Sequence, residues 1–205
     1  MKFTTPIFFL VLILASCTGP NKQTDKKSSA APFDYTIFNV PVLAQPSNNT
    51  CWATVTTMVV SRKAGRTLGI PVVLAEYGTN YLDIYKEDLK CNCRGLKPNE
   101  ANTFFPAVGL TIEPPQSPTI QRWFDLMQKN DSPLIVVVGE KGNFPYYHAI
   151  VVTAFQGNGQ PTGTTITYID PDGGKENTLT MAKFIQWYEG ASNWPGKGQI
   201  LYFKK

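Results

Sequence analysis

Near residue 132 the hydrophobic pattern of this chain changes its period, and that change limits the folds open to it. Before that point apolar residues recur at helical spacing. Cys51, Val55, Met58, Val59 and Arg62 share one face of a segment from Cys51 to Lys63, and the capping types Ser47, Asn48 and Asn49 stand just ahead of it. Its Val and Thr content is poor for an isolated helix, so burial on both sides must hold it. Residues 71–89 mix apolar and polar types at roughly helical spacing, and residues 98–108 read as a short helix ending at Gly109. From Thr119 to Lys129 the stripe Ile120, Trp123, Phe124 and Met127 follows the caps Ser117 and Thr119, with Pro118 fitting a first turn.

Past the change the chain reads as strands. Pro133 to Val138 and His148 to Phe155 are β-branched apolar runs, residues 156–163 are rich in turn formers, and Thr164 to Ile169 alternates. Asp170-Pro171-Asp172-Gly173-Gly174 predicts a turn, Met181 to Tyr188 a helix and Gln199 to Phe203 a last strand. Helices first and an antiparallel sheet second make an α+β arrangement, with a cleft where the two halves meet.

The size fits one domain with a real core, since 42% of the 205 residues are hydrophobic. A net charge of +4 with no block of Lys or Arg argues against nucleic acid as a partner. No repeat of solenoid or propeller length is visible.

The N-terminus has a character of its own. Lys2 followed by the apolar run Pro6 to Ala15, too short for a comfortable bilayer span, predicts a secretory signal. Leu14-Ala15-Ser16-Cys17 resembles the lipobox of bacterial lipoproteins, which implies a lipid on Cys17, cleavage just before it and a membrane attachment through that lipid. The residues after Cys17 are polar and small, so 18–34 is expected to be a disordered tether and 35–205 the folded domain. Thr18 stands where an inner-membrane retention signal would often carry Asp, which makes the outer membrane the expected address. A monomer is expected.

With Cys17 given to lipid, Cys51, Cys91 and Cys93 remain, and an odd number leaves at least one unpaired. Cys91 and Cys93, one residue apart, permit only a strained ring or none, which makes Cys51 the natural free thiol. A nucleophilic cysteine works as thiolate, and the first turn of a helix favours that form through its unpaired amides. Cys51 opens the first predicted helix, and His148, the sole histidine of the chain, is the only base of that type available to it. Asp170 ends the next predicted strand, where it can orient the imidazole; Asp172 is the competing carboxylate but falls in the turn. Gln45, six positions before Cys51, can offer a side-chain amide beside the Cys51 backbone amide as an oxyanion hole. Cys91 and Cys93 with one histidine give an incomplete zinc set, and Asp170, Asp172 and Glu176 lack calcium-loop spacing, so neither metal nor cofactor is expected. Trp123, Trp187 and Tyr188 fall on helical stripes and read as core, whereas Tyr146 and Tyr147 could equally line the cleft or pack.

Gln45-Pro46-Ser47-Asn48-Asn49-Thr50-Cys51-Trp52-Ala53 resembles the nucleophile segment of papain-like peptidases. His148 to Thr153, and Tyr168-Ile169-Asp170-Pro171 with Gly173-Gly174, are similar to the His and Asp blocks of a bacterial papain-like family that includes effector proteases of plant pathogens and lies near the peptidase domains of bacteriocin-processing transporters. The resemblance runs from about Val40 to Glu189 and is thin between Lys63 and Pro118. It implies a papain-like fold and hydrolysis of peptides or proteins by Cys51, His148, Asp170 and Gln45 without a cofactor. Plant papains carry asparagine where this chain has Asp170, and the residues before Cys51 differ from papain, so no substrate preference follows. Two further readings use the same scaffold: a hydrolase of peptidoglycan peptides with the same residues, and a binding or immunity protein without turnover.

Overall fold

The computed structural model describes residues 33–139 and 147–205; the expected signal, Cys17 and the tether to residue 32 lie outside them, as does Tyr146. The element order is β1 (Phe33–Thr36), α1 (Cys51–Ala64), α2 (Ile70–Tyr77), α3 (Thr79–Cys91), α4 (Pro98–Ala107), β2 (Leu110–Glu113), α5 (Ile120–Asn130), β3 (Leu134–Gly139), β4 (Tyr147–Gly157), β5 (Thr164–Asp170), β6 (Lys175–Thr180), α6 (Met181–Gly190) and β7 (Ile200–Phe203). The strands form one antiparallel sheet in the order β2-β7-β3-β4-β5-β6, and this is an α+β fold. Strand β1 pairs with the far end of β4, taking Ala154 to Gly157 after β3 has paired with Tyr147 to Val152.

The apolar run of β3 is explained by burial on both faces. Leu134, Val136 and Val138, with Ile150 and Val152 of β4, pack against α5 and α6 through Trp123, Met127 and Phe184. Ile135 and Val151 face the other way, onto α1 and the helices around it. Helix α1 is therefore enclosed, with every residue from Trp52 to Ser61 buried. Its threonines fit because Thr54, Thr56 and Thr57 donate their hydroxyls to the carbonyls four residues back, at 3.0, 2.7 and 2.8 Å.

Several expectations need correction. The segment expected as one helical stretch over 71–89 is two helices, broken at Gly78, whose φ of 142° suits glycine alone. Three strands, β1, β2 and β6, were not evident in the sequence, and two of them come from the half expected to be helical. Phe33 and Asp34, expected in the tether, belong to β1, because Phe33 is buried with its ring 4.7 Å from that of Phe124. Of the two states left open for Cys91 and Cys93, a closed ring or none, the structure has the closed one, a disulfide.

Candidate active site

The segment ahead of α1 delivers Cys51 to the rim of the sheet. Thr50 occupies the N-cap position but makes no side-chain cap; its hydroxyl donates to the Ser47 carbonyl at 2.8 Å and closes the turn instead. Nor do Ser47, Asn48 or Asn49 cap the helix, so no side chain takes the first-turn amides. An uncapped, half-buried helix start favours negative charge, which suits a thiolate or an oxyanion. Cys51 is half-buried and is the one free cysteine among the described residues.

The sheet supplies the other two groups. His148 is the second residue of β4 and Asp170 the last of β5, and the register sets Val151 opposite Ile169. The two are thus diagonal rather than direct cross-strand neighbours, a separation long side chains bridge. His148 Nε2 lies 2.7 Å from Asp170 Oδ1, with both side chains about four-fifths buried. Asp172 takes part through its backbone amide, which donates to Asp170 Oδ1 at 2.9 Å. The Cys51 thiol acts on the same imidazole and raises its pKa.

Gln45 is placed differently. Its backbone amide donates to the Pro171 carbonyl at 2.7 Å, while its Nε2 makes a long 3.3 Å bond to the Asn48 carbonyl. Its Oε1 is buried with no partner. The side chain stands beside the nucleophile segment rather than in the wall of the cleft.

That cleft is a cavity of about 370 Å³ with Cys51 and His148 in its wall. Trp52, Phe105 and Ala149 make it largely apolar, and Arg94 to Lys97 form one lip. Trp194 forms another, its ring 4.9 Å from that of Tyr147, whose hydroxyl donates to the Asn193 carbonyl at 2.8 Å. Neither lip was apparent in the sequence. The one available signal was a tryptophan set among the turn formers Ser192, Asn193, Pro195 and Gly196, where no core would require it.

A family model described as papain-like cysteine protease AvrRpt2 matches residues 35–189. The chain belongs to this family. No curated protein matches it. As a papain-like cysteine protease it is a cysteine-type peptidase, and its substrates are peptides or proteins. The match takes in Gln45, Cys51, His148 and Asp170, and Trp194 lies outside the matched residues.

The electrostatics of this papain-like site are dominated by the histidine. Burial alone would favour the neutral ring, but the bond to Asp170 and the electrostatic influence of Cys51 and Asp170 outweigh it, and the pKa is pushed up to about 10. Burial likewise opposes charge on Asp170. The bonds from His148 and the Asp172 amide, with the imidazolium charge, prevail and hold its carboxyl below the usual range. At neutral pH the arrangement holds an imidazolium between two anion-forming groups.

Proposed function

We propose that Cys51, His148 and Asp170 carry the hydrolysis and that the protein works at the cell envelope as a lipid-anchored, exported peptidase. The single observation behind the catalytic assignment is the position of His148, bonded to Asp170 through Nε2 and set in the same cavity wall as Cys51. In this reading the thiol proton rests on the ring and the sulfur attacks the scissile carbonyl. The imidazolium then delivers its proton to the leaving amine, and water, activated by the ring, releases the acyl group from Cys51. Asp170 keeps the ring oriented and stabilises its charge throughout. The Cys51 amide is free of a side-chain cap, and Gln45 Nε2 can exchange its long bond to Asn48 for the oxyanion.

Export and anchoring rest on the apolar run Pro6 to Ala15 and the sequence Leu14-Ala15-Ser16-Cys17. Radiolabelled palmitate is expected to label the wild-type protein and to be absent from Cys17→Ser. For catalysis, Cys51→Ala is expected to lose turnover of a denatured protein substrate by on the order of 10⁴-fold or more while unfolding at the wild-type temperature. An irreversible thiol inhibitor should label wild-type Cys51 at neutral pH and leave that peptide unlabelled in the variant. Retained turnover in Cys51→Ala would refute the assignment.

A further inference from the structure

The disulfide between Cys91 and Cys93 has no part in the chemistry above, yet it stands directly against the nucleophile segment. Asn92, the residue between the two cysteines, is left-handed at φ 51°, and its carbonyl accepts a hydrogen bond from Asn49 Nδ2 at 2.8 Å. Asn49 lies two residues before Cys51. Three residues beyond Asn92, the chain presses on the same place, since a Cβ on Gly95 would come within 3.2 Å of the Asn49 carbonyl. Cys91, Asn92 and Cys93 are all exposed, so a reductant can reach the bond.

We propose that Cys91 and Cys93 form a thiol–disulfide site that sets the rate of chemistry at Cys51. The proposal rests on the reading of Cys51 as nucleophile. With the bond closed, the main chain at Asn92 is pinned and its carbonyl holds the Asn49 side chain, which fixes the approach to α1. With the bond open, the α3 cap bond from the Asn92 amide to the Asp88 carbonyl, at 2.8 Å, is left to hold that residue alone, and the Asn92 carbonyl is a less fixed acceptor for Asn49. The lip of the cleft responds less. Arg94 and Gly95 donate their amides to Asp88 Oδ1 at 3.0 and 3.1 Å, an anchorage independent of the disulfide. Reduction therefore loosens the nucleophile and, of the cavity wall, chiefly Asn49, so kcat changes more than KM.

The chemistry is ordinary exchange with an external dithiol. A thiolate of the reagent attacks one sulfur, the Cys91–Cys93 bond breaks, and the second reagent thiol resolves the mixed disulfide. Two electrons pass to the protein, two protons come to rest on the cysteines and the reagent leaves as its own disulfide. A reducing cell interior keeps the site open and an oxidising exterior closes it.

The test compares the full-length wild type with Cys91→Ser/Cys93→Ser, with Asn49→Ala and with the combination of all three, each checked for folding by circular dichroism and thermal unfolding. Each of the first two is expected to lower kcat by roughly fivefold, about the weight of one hydrogen bond, with KM nearly unchanged. The combination is expected to fall no further, because both changes remove the same contact. Titration of the wild type with reduced and oxidised dithiothreitol should move kcat between the same two levels as mass spectrometry counts the thiols, and Asn49→Ala should not respond. Wild-type kcat in the double cysteine variant would overturn the proposal, as would additive losses in the combination. Should the double variant fail to fold, an Asn49→Ala protein that still responds to dithiothreitol would overturn it instead. Failure of the Cys51 reading is distinct: Cys51→Ala would then retain turnover whatever the state of Cys91 and Cys93.

Discussion

The backbone amide of Gln45 donates to the carbonyl of Pro171 at 2.7 Å, joining the loop that leads to Cys51 to the turn that follows Asp170. The same carbonyl accepts the Gly174 amide at 3.2 Å, so one oxygen organises both the turn and its contact with the nucleophile segment. The contact is close: a Cβ on Gly174 would sit 2.8 Å from the Ala44 nitrogen and 2.9 Å from its Cβ. Gly173 has open space by comparison, its nearest neighbour being a lysine carbon at 3.8 Å, although both glycines have positive φ.

This pair gives the first prediction. Gly173→Ala should cost only the left-handed backbone penalty, roughly 1–2 kcal/mol. Gly174→Ala should cost that plus the separation of the turn from Ala44, a further ~1–3 kcal/mol, because main chain cannot yield as a flexible side chain can. Denaturant unfolding measures both. kcat/KM should fall clearly only in Gly174→Ala, since only that variant shifts Gln45 and Asp170 relative to Cys51.

The second prediction concerns pH. In the folded protein His148 titrates at about 10 against an ordinary value of 6.5, so its contribution to stability is fully present below pH 6.5 and is lost as pH rises through about 10. Asp170 is shifted the other way. Its contribution is present above the ordinary value of 3.8 and is lost as pH falls through its lowered folded value. The urea midpoint of the wild type should therefore drop more between pH 6.5 and 10 than that of His148→Gln, which lacks the titrating group. For activity, loss of the imidazolium should give the basic limb of the kcat/KM profile. Asp170→Ala removes a bond and a charge that both raise the His148 pKa, so that limb should move to lower pH. An unmoved limb would remove Asp170 from the role assigned to it.

Substrate affinity depends on the aromatic lip. A Cβ on Gly196 would fall 2.1 Å from Trp194 Nε1, so Gly196→Ala must push the indole from its place beside Tyr147. The expected result is a KM about two- to tenfold higher with kcat nearly kept, matching the loss of one aromatic contact. Trp194→Ala should reproduce it. Kinetics on a short peptide substrate separate this from a loss of chemistry, which would lower kcat.

The elements differ in how plainly their sequence announces them. The helix Ile120–Asn130 and the strands Leu134–Gly139 and Tyr147–Gly157 were legible because their burial is extreme, one as a single stripe and two as enclosed runs. Strand Lys175–Thr180 was not, since it lies at the sheet edge with mostly polar side chains, none of them buried, and owes its form to backbone pairing with Thr165 to Asp170. Strand Leu110–Glu113 is only four residues long, too few for alternation to register. The candidate site was legible in its chemistry because one histidine admits one pairing. Its walls were not, because they depend on contacts such as the Lys197 amide to Asn102 Oδ1 at 2.8 Å, across ninety-five positions that no local pattern connects.

The remaining wall rests on Asp88. This aspartate is fully buried at the end of α3, and one oxygen, Oδ1, receives the amides of Arg94 and Gly95, while Oδ2 is buried without a partner. Those two amides begin the lip of the cavity, so the carboxylate shapes a substrate surface it does not touch. Asp88→Ala leaves two donors without their acceptor and should destabilise the protein by about 2–4 kcal/mol. Asp88→Asn keeps an oxygen for the same donors and should cost less. Both should raise KM in the order of their instability, with kcat less affected, because Cys51 and His148 are held by other elements. If Asp88→Ala instead lowered kcat at unchanged KM, the Arg94 to Lys97 lip would be acting on the nucleophile rather than on the bound substrate.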